Sequence, residues 1–274
     1  MSEKGTHVAM PIQVLSPEVA AKIAAGEVIE RPASVAKELL ENAFDAGAGE
    51  IRLDIVQGGR RLIRVSDDGC GILAGEVELA FARHATSKLA SAEDLYRVRT
   101  LGFRGEALAS IAAVSLLTLS TRAAGEPVGT LLCLEGGQMM AREAQGRPQG
   151  TMVQVENLFF NTPARLKFLR ADPTEAGHIG RLVSSYALAY PAKRMTLQHN
   201  DRLVLRTVGS GRLYDALVAI YGLDVAESML PVGDPDGQEA RAAEAREAGL
   251  AAESVADEGG AIRVWGYTGE PSLH

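Results

Sequence analysis

The stretch Arg31-Pro32-Ala33-Ser34-Val35-Ala36-Lys37-Glu38-Leu39-Leu40-Glu41-Asn42-Ala43-Phe44-Asp45-Ala46-Gly47 constrains the chain more than any other. Pro32 suits a first helical turn, where a missing N–H costs nothing. Gly47 suits the position just past a helix end, where φ > 0 is wanted. Val35, Leu39, Leu40, Ala43 and Phe44 recur at helical spacing and form an apolar stripe. Glu38, Glu41, Asn42 and Asp45 lie on the opposite stripe. Glu38 and Asn42 stand four residues apart and are neighbours on one face. A carboxylate beside a carboxamide can hold a water and a hydrated cation together. Taken alone, such a stripe reads more readily as a solvated face, because Glu and Asp are mostly exposed.

The remaining composition sets bounds. A chain of 274 residues can bury one large core or two smaller ones. Its 46% apolar and 23% charged residues are those of a water-soluble globular protein. Cys70 and Cys133 make neither a disulfide framework nor a metal cluster, which fits a reducing cytosol. No apolar run approaches membrane-spanning length, and the polar start Met-Ser-Glu-Lys-Gly-Thr-His lacks a signal-peptide core. Residues 1–9 read as a disordered extension, with patterned sequence beginning at Met10. Most of the net charge of −7 sits between Pro231 and Gly260, where eight acids face two arginines. That segment reads as a solvated insertion with a transient helix over Glu239–Ala248. The rest is nearly neutral and can still present a basic face.

In chain order, Ser16-Pro17-Glu18 opens a short helix that Gly26 is expected to stop. Ile51–Val56 and Leu62–Val65 alternate around Gln57-Gly58-Gly59-Arg60 and predict a hairpin. It delivers Asp67-Asp68-Gly69-Cys70-Gly71, where an acid precedes two glycines that allow close backbone approach. Such an acid can accept a hydrogen bond from an amino group such as that of adenine; a tight turn explains the same residues. Gly69-x-Gly71-x-x-Ala74 also matches a dinucleotide fingerprint, but Asp67 and Asp68 would face a pyrophosphate there, which excludes it. Gly75–Ala82 and Ala92–Val98 read as helices flanking the basic, hydroxyl-rich run Arg83-His84-Ala85-Thr86-Ser87-Lys88. Gly102-Phe103-Arg104-Gly105-Glu106 runs into an apolar helix, which suits an anion at a helix start as well as a simple junction. No lysine follows a glycine, so a P-loop is excluded; the five histidines lack paired spacing, and no Gly-x-Ser-x-Gly elbow occurs.

Downstream, strands are expected at Val114–Thr121, Thr130–Leu134 and Thr151–Glu156. A helix capped by Thr162 starts at Pro163 and carries Arg165, Lys167 and Arg170, read as a solvated face rather than a DNA contact. A long helix covers Glu175–Ala189, a hairpin turns at Asn200-Asp201, a helix covers Arg212–Tyr221, and Ile262–Tyr267 is a strand.

Glu38-Leu39-Leu40-Glu41-Asn42, Asp67-Asp68-Gly69-Cys70-Gly71 and Gly102-Phe103-Arg104-Gly105-Glu106-Ala107-Leu108 stand in the order of the motifs of the GHKL ATPases. Ile23-Ala-Ala-Gly-Glu-Val28, Glu30-Arg-Pro-Ala-Ser34, Arg83-His-Ala-Thr-Ser-Lys88 and Phe160-Asn-Thr-Pro-Ala-Arg165 resemble the mismatch-repair MutL branch. The resemblance runs from about Met10 to His199. It implies a two-layer α/β sandwich, a mixed sheet with helices on one face, over residues 10–210. The start of a smaller α/β domain, of the ribosomal-protein type, is expected over residues 211–274, interrupted at 231–260.

The resemblance also implies roles. Glu38 is the expected general base, and Asn42 the expected Mg²⁺ ligand beside the ATP phosphates. Asp67 is expected to accept the adenine amino group, with Gly69 and Gly71 closing on the base and Thr151 supporting it. Thr86, Ser87 and Lys88, with Gly102, Phe103, Arg104, Gly105, Ala107 and Leu108, are expected to form a lid over the phosphates. The implied activity is slow ATP hydrolysis that drives lid closure and homodimerisation in a DNA mismatch-repair switch. The implied partners are DNA, a mismatch-recognition protein and a downstream nuclease or helicase, in the cytoplasm or on the nucleoid and away from membranes. Another GHKL enzyme, such as a topoisomerase subunit, and a non-catalytic DNA- or protein-binding scaffold are the alternatives. Two departures stand out. Asp68 replaces a usual Asn and is expected to add charge near the base. The Asn-Val-His-Pro-x-Lys motif of the family's second domain is missing, so the chain reads as a fragment with weak turnover.

Overall fold

Eight strands form one sheet in the order β5-β4-β3-β6-β2-β1-β7-β8 in the computed structural model. They are β1 Glu50–Val56, β2 Leu62–Asp67, β3 Leu116–Arg122, β4 Gly129–Glu135, β5 Gln138–Gln145, β6 Gly150–Glu156, β7 Arg194–His199 and β8 Arg202–Arg206. The structure describes residues 14, 16–82, 85, 86, 88, 100–102, 105–233, 235 and 264–269. Every pairing is antiparallel except β1 with β7, so the sheet is mixed.

Side chains alternate across the strands and give the sheet two unlike faces. Ile51, Leu53, Ile55, Ile63, Val65, Leu117, Leu119, Val153, Val155, Met195 and Leu197 belong to one buried apolar core. The helices α2 Pro32–Asp45, α3 Ala107–Ala113 and α5 Asp172–Ala189 contribute Val35, Leu39, Leu40, Ala43, Ile111, Ile179 and Val183 to the same core. The opposite face is charged. Asp54 accepts from Arg52 Nε at 3.0 Å and Arg64 Nη2 at 3.0 Å, and Arg52 Nη2 donates to Gln198 at 2.9 Å. Such cross-strand ladders suit a sheet face turned to water.

The central helix forms as its sequence dictates. Pro32 occupies its first turn, and Gly47 follows its end with φ +74°. Phe44, the fifth member of the apolar stripe, stacks on Tyr190 at 4.6 Å and meets Tyr186 at 5.1 Å. The first helix, α1 Pro17–Val28, packs against α3 and differs from expectation at one point. It runs through Gly26 instead of stopping there. Arg165, from α4 Pro163–Phe168, donates to the carbonyls of Gly26 at 3.0 Å and Ile29 at 2.9 Å. A Cβ on Gly26 would lie 1.4 Å from this guanidinium, so the glycine makes room for an arginine. Arg165 is therefore a cap for α1 and not part of a solvated face. Thr162 makes no side-chain cap on α4.

Other expectations shift. Residues 74–81 form turns and a short 3-10 segment, not a helix. β5 was not expected; it is an edge strand with only Ala141 less than exposed, so no alternating apolar pattern marks it. After β8, α6 Leu213–Tyr221 and α7 Leu223–Glu227 precede a two-stranded antiparallel sheet of β9 Met229–Val232 and β10 Gly266–Gly269. Tyr214 of α6 meets Tyr267 of β10 at 5.8 Å. The chain thus has a mixed sheet with flanking helices, followed by a smaller α/β unit. Pro231 and Val232, at the expected start of the acidic segment, belong to β9. The extension at 1–9, the helices at 92–98 and 239–248, and the strand start at 262–263 lie outside the described residues.

Candidate nucleotide site

A cleft of about 1380 Å³ opens between α2, the ends of β2 and β6, and the start of α3. Glu38, Asn42, Asp67, Gly71, Thr86, Lys88, Gly102, Gly105, Ala107, Leu108 and Thr151 all line it. Ser87, Phe103 and Arg104 lie outside the described residues. Gly69 does not line the cleft: a Cβ there would meet Ala46 Cβ at 2.7 Å, so this glycine packs the loop onto the end of α2.

One end of the cleft is built on the β2 loop. Cys70 N–H donates to Ala46 O at 3.0 Å, and Gly71 has φ +75° with its missing Cβ only 2.1 Å from Arg122 O. The loop is thus clamped between α2 and the end of β3, a close approach that only glycine permits. Asp67 accepts the Gly69 N–H at 2.9 Å. Burial pushes its carboxyl up to about 6, against the opposing pull of the Gly69 and Thr151 amides and of Arg147. Thr151 lies opposite Asp67 on β6, and its hydroxyl pairs with Thr121 Oγ1 at 3.1 Å. Thr121 Oγ1 also accepts the Ile72 N–H at 2.9 Å, which fixes the far side of the loop. Asp68 turns away from this end. Its carboxylate accepts the N–H groups of Gly49 at 2.8 Å and Glu50 at 2.9 Å. The carboxylate thus ties the start of β1 to the loop, and its negative charge still helps to raise the Asp67 carboxyl, as expected of an added charge near this end.

The other end is built on α2. Burial raises the Glu38 carboxyl above its ordinary value, while Lys37, 3.7 Å away, opposes the shift. Asn42 Oδ1 accepts from Lys88 Nζ at 3.0 Å, and the same ammonium lies 2.5 Å from Asp45 Oδ2. Glu41 and Asp45, the other two polar residues of this helix, are both buried supports. Glu41 accepts from the Tyr186 hydroxyl at 2.7 Å and pairs with Lys37 at 2.9 Å. Asp45 takes the N–H of Leu101 at 2.9 Å and that of Gly102 at 3.2 Å.

The donor set fits a nucleotide and a divalent cation. Asn42 Oδ1 already holds a cation, the Lys88 ammonium. A partly buried carboxylate sits at the opposite end, where an amino group can meet it. Arg147, Thr121 and the Glu41–Tyr186 pair escaped sequence reading, because each acts on a residue distant in the chain.

A mixed sheet with a helix-borne carboxylate and carboxamide facing such a loop defines the class of the GHKL ATPases. The family profile described as histidine kinase-, DNA gyrase B- and HSP90-like ATPase matches residues 30–138. The chain is 54% identical over 221 residues to the DNA mismatch repair protein MutL of Desulforudis audaxviator, covering 81% of this chain and 39% of that protein. It is 51% identical to MutL of Geobacter sulfurreducens, over 81% of this chain and 36% of that one. The chain thus spans well under half the length of these relatives. The solved Aquifex aeolicus MutL ATPase domain complexed with ADP aligns with a TM-score of 0.58 at 34% identity, over 71% of this chain and 70% of its own. The crystal structure of the N-terminal domain of a DNA repair protein aligns with a TM-score of 0.68 at 27% identity, over 79% of this chain and 65% of that one. The chain belongs to the MutL ATPase-domain family.

Proposed function

We propose that this chain binds ATP and hydrolyses it slowly, as the switch of a DNA mismatch-repair protein. The observation that carries the reading is the pairing, across one cleft, of Glu38 and Asn42 on α2 with Asp67 and Thr151 on the sheet. Asp67 accepts the adenine amino group, with Gly71 and Thr151 shaping the base pocket. Glu38 orients and deprotonates the attacking water; its raised pKa makes the carboxylate a better proton acceptor than a fully solvated one. Asn42 would hold Mg²⁺, which when bound would neutralise charge on the phosphate oxygens. Thr86, Lys88, Gly102, Gly105, Ala107 and Leu108 surround the phosphates; Ser87, Phe103 and Arg104 belong to the same stretches. Phosphate contacts then order this lid, and closure favours pairing of two copies. DNA binds through phosphates, without sequence preference, with a steep salt dependence. A mismatch-recognition protein and a nuclease or helicase read the state of the switch. No helix among the described residues is long and apolar enough to cross a membrane, and cytoplasmic residence is part of this proposal.

The test is Glu38→Ala, with hydrolysis and binding measured in parallel. Loss of a general base lowers the rate roughly 10²–10⁴-fold, while titration with a non-hydrolysable ATP analogue and Mg²⁺ gives nearly the wild-type heat. Equal loss of binding and rate removes the role from Glu38. No heat of binding in the wild type favours a scaffold that works without ATP.

A further inference from the structure

Asp45 has no part in the reaction proposed above, yet its carboxylate gathers more of the cleft than any other side chain of α2. Its side chain is only 8% exposed. Oδ1 accepts the Leu101 N–H at 2.9 Å; Oδ2 accepts the Gly102 N–H at 3.2 Å and lies 2.5 Å from Lys88 Nζ. The residues it holds come from two separate stretches of chain. Those stretches also touch each other: Gly105 has φ +61°, and a Cβ there would stand 2.4 Å from Ala85 O. Thr86 Oγ1 takes the Lys88 N–H at 3.1 Å, and Thr100 Oγ1 donates to Gly102 O at 2.9 Å, so each stretch is also braced within itself.

The position of Lys88 matters most. Its ammonium bridges Asp45 Oδ2 and Asn42 Oδ1. Asn42 Oδ1 is also the atom offered to Mg²⁺. A divalent cation binds an oxygen at about 2.1 Å. An ammonium 3.0 Å from the same oxygen would then lie close to a doubly charged ion inside a half-buried cleft. Like charges at that range repel strongly in a medium less polar than water. Were Mg²⁺ held by Asn42, it and the ammonium would exclude each other there.

We infer that Asp45 is a positioning residue that ties both chain stretches to α2 and stores Lys88 on Asn42 until Mg²⁺ and nucleotide phosphate displace it. Asp45 acts through Lys88 and through the Leu101 and Gly102 amides. The inference rests on the ATP reading and deepens it: metal loading and lysine release become one event. Lys88 leaves Asn42 as Mg²⁺ arrives and is then available to the phosphates, a partner it matches in charge.

The experiment compares ADP and adenosine, titrated by calorimetry and nuclear magnetic resonance, on the wild type, Asp45→Ala and Lys88→Met. Asp45→Ala is expected to weaken ADP with Mg²⁺ at least 10-fold and to change adenosine binding less than 2-fold, since Asp67 and Thr151 do not depend on it. Lys88→Met leaves the Asp45 amide bonds in place. It is expected to lower, at least 3-fold, the Mg²⁺ concentration that half-saturates ADP binding, because the competing cation is gone. Equal weakening of ADP and adenosine by Asp45→Ala marks a general structural loss and overturns the inference. So does an unchanged or raised Mg²⁺ midpoint in Lys88→Met. A wild type that binds no ADP overturns both the ATP reading and this inference; variants that bind ADP as the wild type does overturn this one alone.

Discussion

Asp67 should lower the stability of the protein in proportion to its ionisation, and Asp67→Asn should reveal by how much. Its carboxyl sits at about 6, against 3.8 for an ordinary aspartate, because burial penalises the charged form. The folded state therefore holds its proton more tightly than the unfolded one. Below the unfolded pKa the group is neutral in both states and costs nothing. As pH rises from about 4 to about 6 the cost accumulates, and above that range it is constant. A shift of this size corresponds to about 3 kcal/mol at neutral pH. An asparagine keeps the carbonyl oxygen that accepts the Gly69 N–H and avoids the buried charge, though its amide adds some desolvation of its own. A net gain of about 1–3 kcal/mol is expected, or roughly 3–10 °C in Tm at pH 7.5. The gain should shrink to nothing near pH 4. Thermal melts of both proteins from pH 4 to pH 8 at constant ionic strength measure it. In parallel, adenosine binding by the wild type should weaken below pH 6, as the acceptor becomes protonated, and the variant should bind weakly at every pH. A Tm difference that does not vary with pH, or a variant less stable than the wild type at pH 7.5, would refute the reasoning.

Two further substitutions probe supports of the same cleft. Tyr186→Phe removes the hydroxyl that donates to Glu41 at 2.7 Å. Lys37 remains on that carboxylate, so the loss should be about 1.5 kcal/mol, seen as a Tm lower by roughly 3–6 °C; an unchanged Tm would show that water replaces the hydroxyl freely. Arg165→Ala removes both bonds to the end of α1 and the guanidinium placed 5.9 Å over the Phe159 ring. Amide hydrogen exchange in α1 should quicken at least 10-fold, by about 1.5 kcal/mol or more, with α2 unaffected; uniform quickening of both helices would mean that Arg165 supports the whole fold.

Local structure is legible in the residues where neighbours in sequence are neighbours in space. The helix at Pro32–Asp45, the β1–β2 and β7–β8 hairpins and the β6 strand each show their period within a few residues. It is not legible where distant partners decide. Gly26 looks like a helix stop because glycine usually is one, but an arginine 139 residues away fills its space. Residues 138–145 show no buried alternation, so only pairing with β4 makes them a strand. Asp68 does add charge beside Asp67, but no local pattern shows that its carboxylate also takes the Gly49 and Glu50 amides.

The sequence by itself determined the helix that carries Glu38 and Asn42, the glycine-flanked loop after Asp67 and the order of motifs that marks the family. Local periodicity and turn chemistry act over a few residues, so they can be read one stretch at a time. Only the tertiary structure decided what those polar residues meet. Glu41 and Asp45 share a helix face with Glu38 and Asn42 in any listing of the sequence. Tyr186 on α5 and Lys88, Leu101 and Gly102 beside the cleft turn both into buried supports. Burial raises the Asp67 carboxyl for the same reason: the dielectric around a group is set by the chain segments packed on it, and no local pattern encodes which ones those are.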